Sequence, residues 1–126
     1  MSLTLIVNPA PLAIVRLAAG AELPSWAAGS RWLSVTRTPD ETSIVCDEEG
    51  VPESITAERG YRAFRVAGTL PFEAVGVLVW LASPLAAARI PIFVISTHDT
   101  DYILVPGDRF ARAVEAIREA GHSVTE

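Results

Sequence analysis

The 126-residue sequence predicts an α+β fold, a ferredoxin-like βαββαβ sandwich, on three observations. From Tyr61 onward the chain spells strand-helix-strand-strand-helix-strand, the order of that split unit. The stretch ISTHDTDYILV, Ile95–Val105, reads as a strand, a tight turn and a second strand. Phe110, Ala113, Val114 and Ile117 then share one face of a helix that Gly121 stops. The length allows one domain or two very small intertwined ones, with enough chain for a real core. We divide it into residues 1–60, a trimmed first half, and residues 61–126, a complete unit.

Taken in order, Leu3–Val7 is a short apolar strand stopped by Asn8-Pro9-Ala10-Pro11, and Leu12–Leu17 is a second. Residues 24–29 have room for a helical turn or two. Trp32–Thr36 and Thr42–Asp47 are β-rich runs about the turn former Pro39-Asp40-Glu41, hence a hairpin. Asp47–Glu53 is acidic and reads as solvated surface. Tyr61–Val66 alternates, with Tyr61, Ala63 and Arg65 on one face and Arg62, Phe64 and Val66 on the other. Gly68-Thr69-Leu70-Pro71 breaks it. Phe72–Ala82 is apolar nearly all round and reads as a buried helix, with a kink or a fresh start at Ser83-Pro84. Pro91–Thr97 and Asp101–Val105 form the second hairpin. Asp108 is the expected cap of the last helix, and Ser123–Glu126 a final edge strand. The two hairpins echo one another: Thr36 or Thr97, a polar turn, then Glu41 or Asp101, acids 60 positions apart.

Composition removes several functions. The net charge is −5 and all ten cationic side chains are Arg. An acidic chain without a basic run has no phosphate footprint, so nucleic acid is not an expected partner. Without Lys there is no Schiff-base chemistry and no P-loop. The single cysteine, Cys46, cannot form an internal disulfide and reads as a small buried hydrophobe, as suits a reducing compartment. The longest apolar run, Ala74–Ala82, is shorter than the ~20 residues of a membrane span, and Met-Ser-Leu-Thr lacks a basic leader, so we expect a cytoplasmic protein without membrane partners. His98, His122 and scattered acids lack metal-site spacing, and no cofactor is implied.

Asp101 raises the functional question. Aspartate is depleted in strands and costly to bury, yet it heads the run Tyr102-Ile103-Leu104-Val105. One reading gives it an ammonium group to hold, beside Ser96, Thr97 and Thr100. The amide-rich start of the long helix after Thr69-Leu70-Pro71 would then face the matching carboxylate. Together these describe an α-amino acid. The other reading has Asp99 and Thr100 satisfying turn amides, and Asp101 paired with Arg62 or Arg65. Gly76 marks either close approach of a ligand or plain helix packing.

GTLPFEAVGVL, ISTHDTDYILV and the following helix with Ala113-Val114 resemble an ACT domain, and SVTRTPDETSIVCDEEGVP is similar to the first half of small tandem-ACT proteins related to the cytosolic arginine sensors. The resemblance runs from about Leu12 to Gly121. It implies a ferredoxin-like fold in paired copies and regulatory binding of an amino acid at the interface between ACT-like units. Carried over by position, ligand contacts fall on Thr69, Leu70, Phe72, Gly76, Ser96, Thr97, Thr100 and Asp101. His98 stands at a turn position where an aromatic residue is expected. The chain is thus read as a stand-alone amino-acid sensor, a homodimer and not an enzyme. The alternative is an interaction scaffold with a vestigial site. An enzyme using Asp99 and Asp101 as acid and base is weakest, since no nucleophile, metal cluster or cofactor loop accompanies them.

Overall fold

Short alternating runs make the strands and two longer apolar-faced runs make the main helices. The structure, a computed structural model, describes residues 2–69 and 74–126. Its described elements are β1 (Thr4–Val7), β2 (Leu12–Leu17), α1 (Ser25–Ala28), β3 (Leu33–Arg37), β4 (Thr42–Asp47), β5 (Glu58–Val66), α2 (Val77–Ala87), β6 (Phe93–Ser96), β7 (Asp101–Pro106), α3 (Phe110–Glu119) and β8 (Ser123–Thr125). They fall into two compact units, Ala10–Tyr61 and Met1–Pro9 with Arg62–Glu126. Strand β5 crosses the boundary between them.

In the Ala10–Tyr61 unit, β3 and β4 form the expected hairpin, registered from Leu33 opposite Cys46 to Arg37 opposite Thr42. β4 also pairs antiparallel with β2, which in turn pairs with the start of β5. The core is Ala13, Val15, Ala27, Ile44, Cys46 and Val51, with Trp26 and Leu23 packed against it. Burial pushes the Cys46 thiol above its ordinary range, and the charge of Asp47 adds to this. A protonated buried thiol is a packing group, in keeping with its sequence setting. The acidic segment is not simply a solvated surface. Asp47 Oδ2 accepts from the N–H groups of Arg31 and Trp32 at 3.1 and 3.3 Å, and Glu48 accepts from the Gly60 N–H.

The other unit contains β5-α2-β6-β7-α3-β8, the order anticipated from Tyr61 onward. Its strands are ordered β6-β7-β5-β1-β8. β1, grouped with the first half in the sequence reading, pairs antiparallel with β5 and parallel with β8. Leu5, Val7, Phe64, Val66, Ile103 and Val105 share a core with Leu81 and Leu85 of α2 and Ala113 and Ile117 of α3. Burying each large apolar side chain contributes about 1.5–3 kcal/mol.

Three expectations change. Helix α2 begins at Val77, not Phe72, because Gly76 stands at its N-cap with a left-handed φ of 83° that a side chain would strain. It then continues through Pro84 as one helix rather than restarting. Asp108 is not the cap of α3: it lies in a 3₁₀ turn, Gly107–Arg109, and makes no side-chain capping bond.

The hairpin echo is present in a corrected register. Thr38 N–H donates to Glu41 O at 3.0 Å and Thr97 N–H to Thr100 O at 2.8 Å. The pairs Thr38 and Thr97, and Thr42 and Asp101, are each 59 positions apart. So are Glu48 and Gly107, which open the 3₁₀ turns after β4 and β7. Thr42, not Glu41, is therefore the counterpart of Asp101. It is fully buried and its hydroxyl has no partner among the described residues.

Candidate ligand site

The second hairpin closes on the turn Thr97–Thr100, with Ser96 opposite Asp101 as the last registered pair. Thr97 holds this turn from within. Its Oγ1 lies 3.2 Å from Thr100 O and accepts the Thr100 N–H at 3.3 Å. Thr100, 5 % exposed, donates its hydroxyl to Val66 O at 2.7 Å. That bond ties the turn to the end of β5, where Gly68 turns the chain with φ 85°. Replacing Thr100 by Val should leave the Val66 carbonyl short of a partner. We expect a loss of about 1–2 kcal/mol in denaturant unfolding, whereas Thr100→Ser, which keeps the hydroxyl, should lose less.

Between the turn and the end of β5 lies an open cavity of about 370 Å³, lined by Arg65, Gly68, Thr69, Thr97, Asp99, Thr100 and Tyr102. Phe64 and Val66 point into the helix-covered core, as do Ile103 and Val105. Period-two alternation therefore puts Arg65 and Tyr102 on the opposite face of the sheet. Among the described residues, the cavity wall holds one guanidinium and one carboxylate. The Asp99 carboxylate lies 3.0 Å from His98 Nδ1, both side chains being largely exposed. Arg65 is half-buried and forms no ion pair among the described residues.

Of the eight residues anticipated from sequence, the structure brings Thr69, Thr97 and Thr100 to this cavity. Ser96 and Asp101 do not line it. They face each other across the hairpin, where Ser96 Oγ donates to Asp101 Oδ1 at 2.6 Å, and alternation places Asp101 on the side of Ile103 and Val105. Asp101 pairs with no arginine among the described residues: the Arg62 guanidinium instead lies 4.3 Å from the Phe110 ring centroid, and Phe110 stacks on Phe64. Gly76 starts α2. Leu70 and Phe72 lie outside the described residues. Arg65, Gly68, Asp99 and Tyr102 also line it and are not among the contacts that the sequence suggests. The strand alternation already recognised for Tyr61–Val66 placed Arg65 away from Phe64, and that was the available signal.

A family model for the ACT domain matches residues 56–119, half of the chain. The chain belongs to the ACT domain family. A second family model, of an N-terminal domain, matches residues 11–54 of this ACT protein. It is 37 % identical over 59 residues to the cytosolic arginine sensor for mTORC1 subunit 1 of Homo sapiens, a stretch that is 46 % of this chain and 18 % of the sensor. The matched stretch is thus a small part of that relative. Among solved structures, a protein from Agrobacterium tumefaciens is 34 % identical with a TM-score of 0.92, covering 99 % of this chain and 93 % of that one. The regulatory subunit of aspartate kinase from Thermus flavus has a TM-score of 0.62 at 12 % identity, covering 95 % of this chain and 99 % of that chain, and shares the fold alone. The ACT resemblance carried by the hairpin and by GTLPFEAVGVL is borne out, as is the ferredoxin-like α+β fold.

Proposed function

We propose that this ACT protein is a non-catalytic regulatory module that binds an α-amino acid in the cavity at the β6–β7 turn. One observation carries the reading: among the described residues one guanidinium, Arg65, and one carboxylate, Asp99, share a hydroxyl-lined cavity in a domain of this family. A zwitterion offers the reverse pair. Arg65 would receive its carboxylate and Asp99 its ammonium, while Thr69 and Tyr102 supply polar contacts. Thr97 and Thr100 would act chiefly by holding the turn. Asp101 then positions the hairpin through Ser96, and Leu70, Phe72 and Gly76 remain contacts suggested by the family pattern. The relation to an arginine sensor makes arginine the first amino acid to try. In this reading the first half, drawn at residues 1–60 from the sequence and corresponding to the Ala10–Tyr61 unit, is a degenerate ACT-like half, supported by the hairpin echo at 59 positions, and the module works as a homo-oligomer in the cytoplasm.

Thermal melts with each of the twenty amino acids test this. A ligand at ~100 times its Kd stabilises by about 2.7 kcal/mol, several degrees for a domain this size. One amino acid should raise the Tm, and Arg65→Ala should weaken its binding at least ~10-fold, about 1.4 kcal/mol, without lowering the unliganded Tm appreciably. Binding unchanged in both Arg65→Ala and Asp99→Asn would move the site elsewhere. A flat panel would support the scaffold reading, which the apolar outer face of α2 favours.

A further inference from the structure

The first half repeats more than a hairpin. Strand β2 runs out through Arg16-Leu17-Ala18-Ala19-Gly20, and β5 through Arg65-Val66-Ala67-Gly68. Gly20 and Gly68 both turn the chain with a left-handed backbone, φ 75° and 85°. β2 lies beside the first hairpin through β4, as β5 lies beside the second through β7. Val15 and Leu17 pack on the core of the Ala10–Tyr61 unit. Alternation therefore puts Arg16 on the opposite face of its strand, as it does Arg65. The turns agree as well. Asp40 and Asp99 are 59 positions apart, the offset of Thr38 from Thr97. Thr38 Oγ1 accepts the N–H groups of Asp40 and Glu41, both at 3.1 Å, where Thr97 Oγ1 accepts that of Thr100.

Folding brings the two ends together in the first half too. Arg16 Nη2 donates to Asp40 O at 3.1 Å across 24 positions, so the guanidinium lies against the turn. It does not pair with the Asp40 carboxylate. Among the described residues the ion pairs are His98–Asp99, Arg112–Glu115 and Arg112–Glu119. Arg16 and Asp40 are both exposed. One bond to a carbonyl leaves most of the guanidinium donors free. A cation and an anion fixed side by side but not in contact leave a gap that the two opposite charges of a zwitterion can span.

From this we infer that the first half carries a second ligand site, in which Arg16 receives the carboxylate and Asp40 the ammonium of an α-amino acid. The inference rests on the zwitterion reading of Arg65 and Asp99 and adds a second ligand per chain. The two sites differ in one respect. The Arg65 guanidinium makes no hydrogen bond among the described residues, whereas a ligand at Arg16 competes with Asp40 O and meets more solvent. The first-half site is therefore the weaker, with a Kd in the millimolar range.

Glycine is the probe, because it carries both charged groups and no side chain. Titrated into isotopically labelled protein at constant ionic strength, it should shift the amide resonances of Thr38, Asp40 and Glu41 as well as those of Thr97–Thr100. Arg16→Gln should weaken the first response at least ~10-fold and spare the second. Asp40→Asn, which keeps the backbone bond to Arg16, should do the same. Acetate, with the anionic end alone, should shift Thr38–Glu41 less than glycine does. An equal response to acetate would show an anion contact only and overturn the inference, as would a first-turn response that survives both variants. Shifts at Thr97–Thr100 alone would overturn it and leave the Arg65 site standing. Shifts at neither turn would overturn both.

Discussion

His122→Ala is expected to destabilise the protein by about 3–4 kcal/mol, a large share of the stability of a domain this size. His122 is 6 % exposed and both ring nitrogens are used. The backbone N–H of Leu3 donates to Nδ1 at 3.0 Å. Nδ1 therefore accepts, the ring proton is on Nε2, and Nε2–H donates to Trp80 O at 3.3 Å. That carbonyl would ordinarily take the N–H four residues on, but residue 84 is proline and has none. The imidazole thus mends the break that lets α2 run through Pro84 and at the same time fixes the chain leading into β1. Removing it strands two polar backbone groups, at about 1–3 kcal/mol each, and opens a cavity.

A double-mutant cycle followed by urea unfolding checks the mechanism. In a Pro84→Ala background, residue 84 regains its N–H and Trp80 O its helical partner. His122→Ala should there cost about 1 kcal/mol less than in the wild type. Equal losses in both backgrounds would show that the Trp80 contact contributes nothing. A loss below ~1 kcal/mol in the wild type would refute the bracing role itself.

The distances in sequence explain which features were legible and which were not. Local pattern sufficed for both hairpins, and for the buried face of α3, whose period separates Ala113, Val114 and Ile117 from Arg112 and Glu115. It failed at α2, which is apolar on every side and so lacks the amphipathic phase that marks a helix start. The left-handed backbone at Gly76 set that start instead. Pairing of β1 with β8 joins residues about 120 apart, and an isolated apolar strand says nothing about its neighbour. The candidate site divides likewise. Thr97 and Thr100 were visible as turn formers, whereas bringing Arg65 and Gly68 beside them needed the Thr100–Val66 bond across 34 positions. His122 lacked any signal, because its partners are backbone atoms of residues 3 and 80.

In the Ala10–Tyr61 unit the largest single loss is expected at Asp47, in the acidic stretch that composition alone assigns to solvent. Its carboxylate is half-buried, and its Oδ2 accepts from Arg31 N–H and Trp32 N–H at 3.1 and 3.3 Å and lies 3.1 Å from Ser30 Oγ, whose one proton it shares with Trp32 O. Ser30 Oγ also accepts the Asp47 N–H at 2.9 Å and lies 2.7 Å from Trp32 O. These bonds clasp the chain between α1 and β3 to the end of β4, closing the loop that carries Trp26 and Ala27 onto Ile44 and Cys46. Hydrogen bonds to a charged acceptor contribute about 1.5–3 kcal/mol each but are not additive, so Asp47→Ala should cost about 3 kcal/mol. Asp47→Asn keeps an acceptor oxygen without its charge and should cost about half as much. Ser30→Ala, which removes the reciprocal arm, should be partly redundant with Asp47→Ala, the double variant losing less than the sum. Strict additivity in guanidinium unfolding, or an Asp47→Ala loss under ~0.5 kcal/mol, would mean the carboxylate is surface after all and the clasp ornamental to the fold.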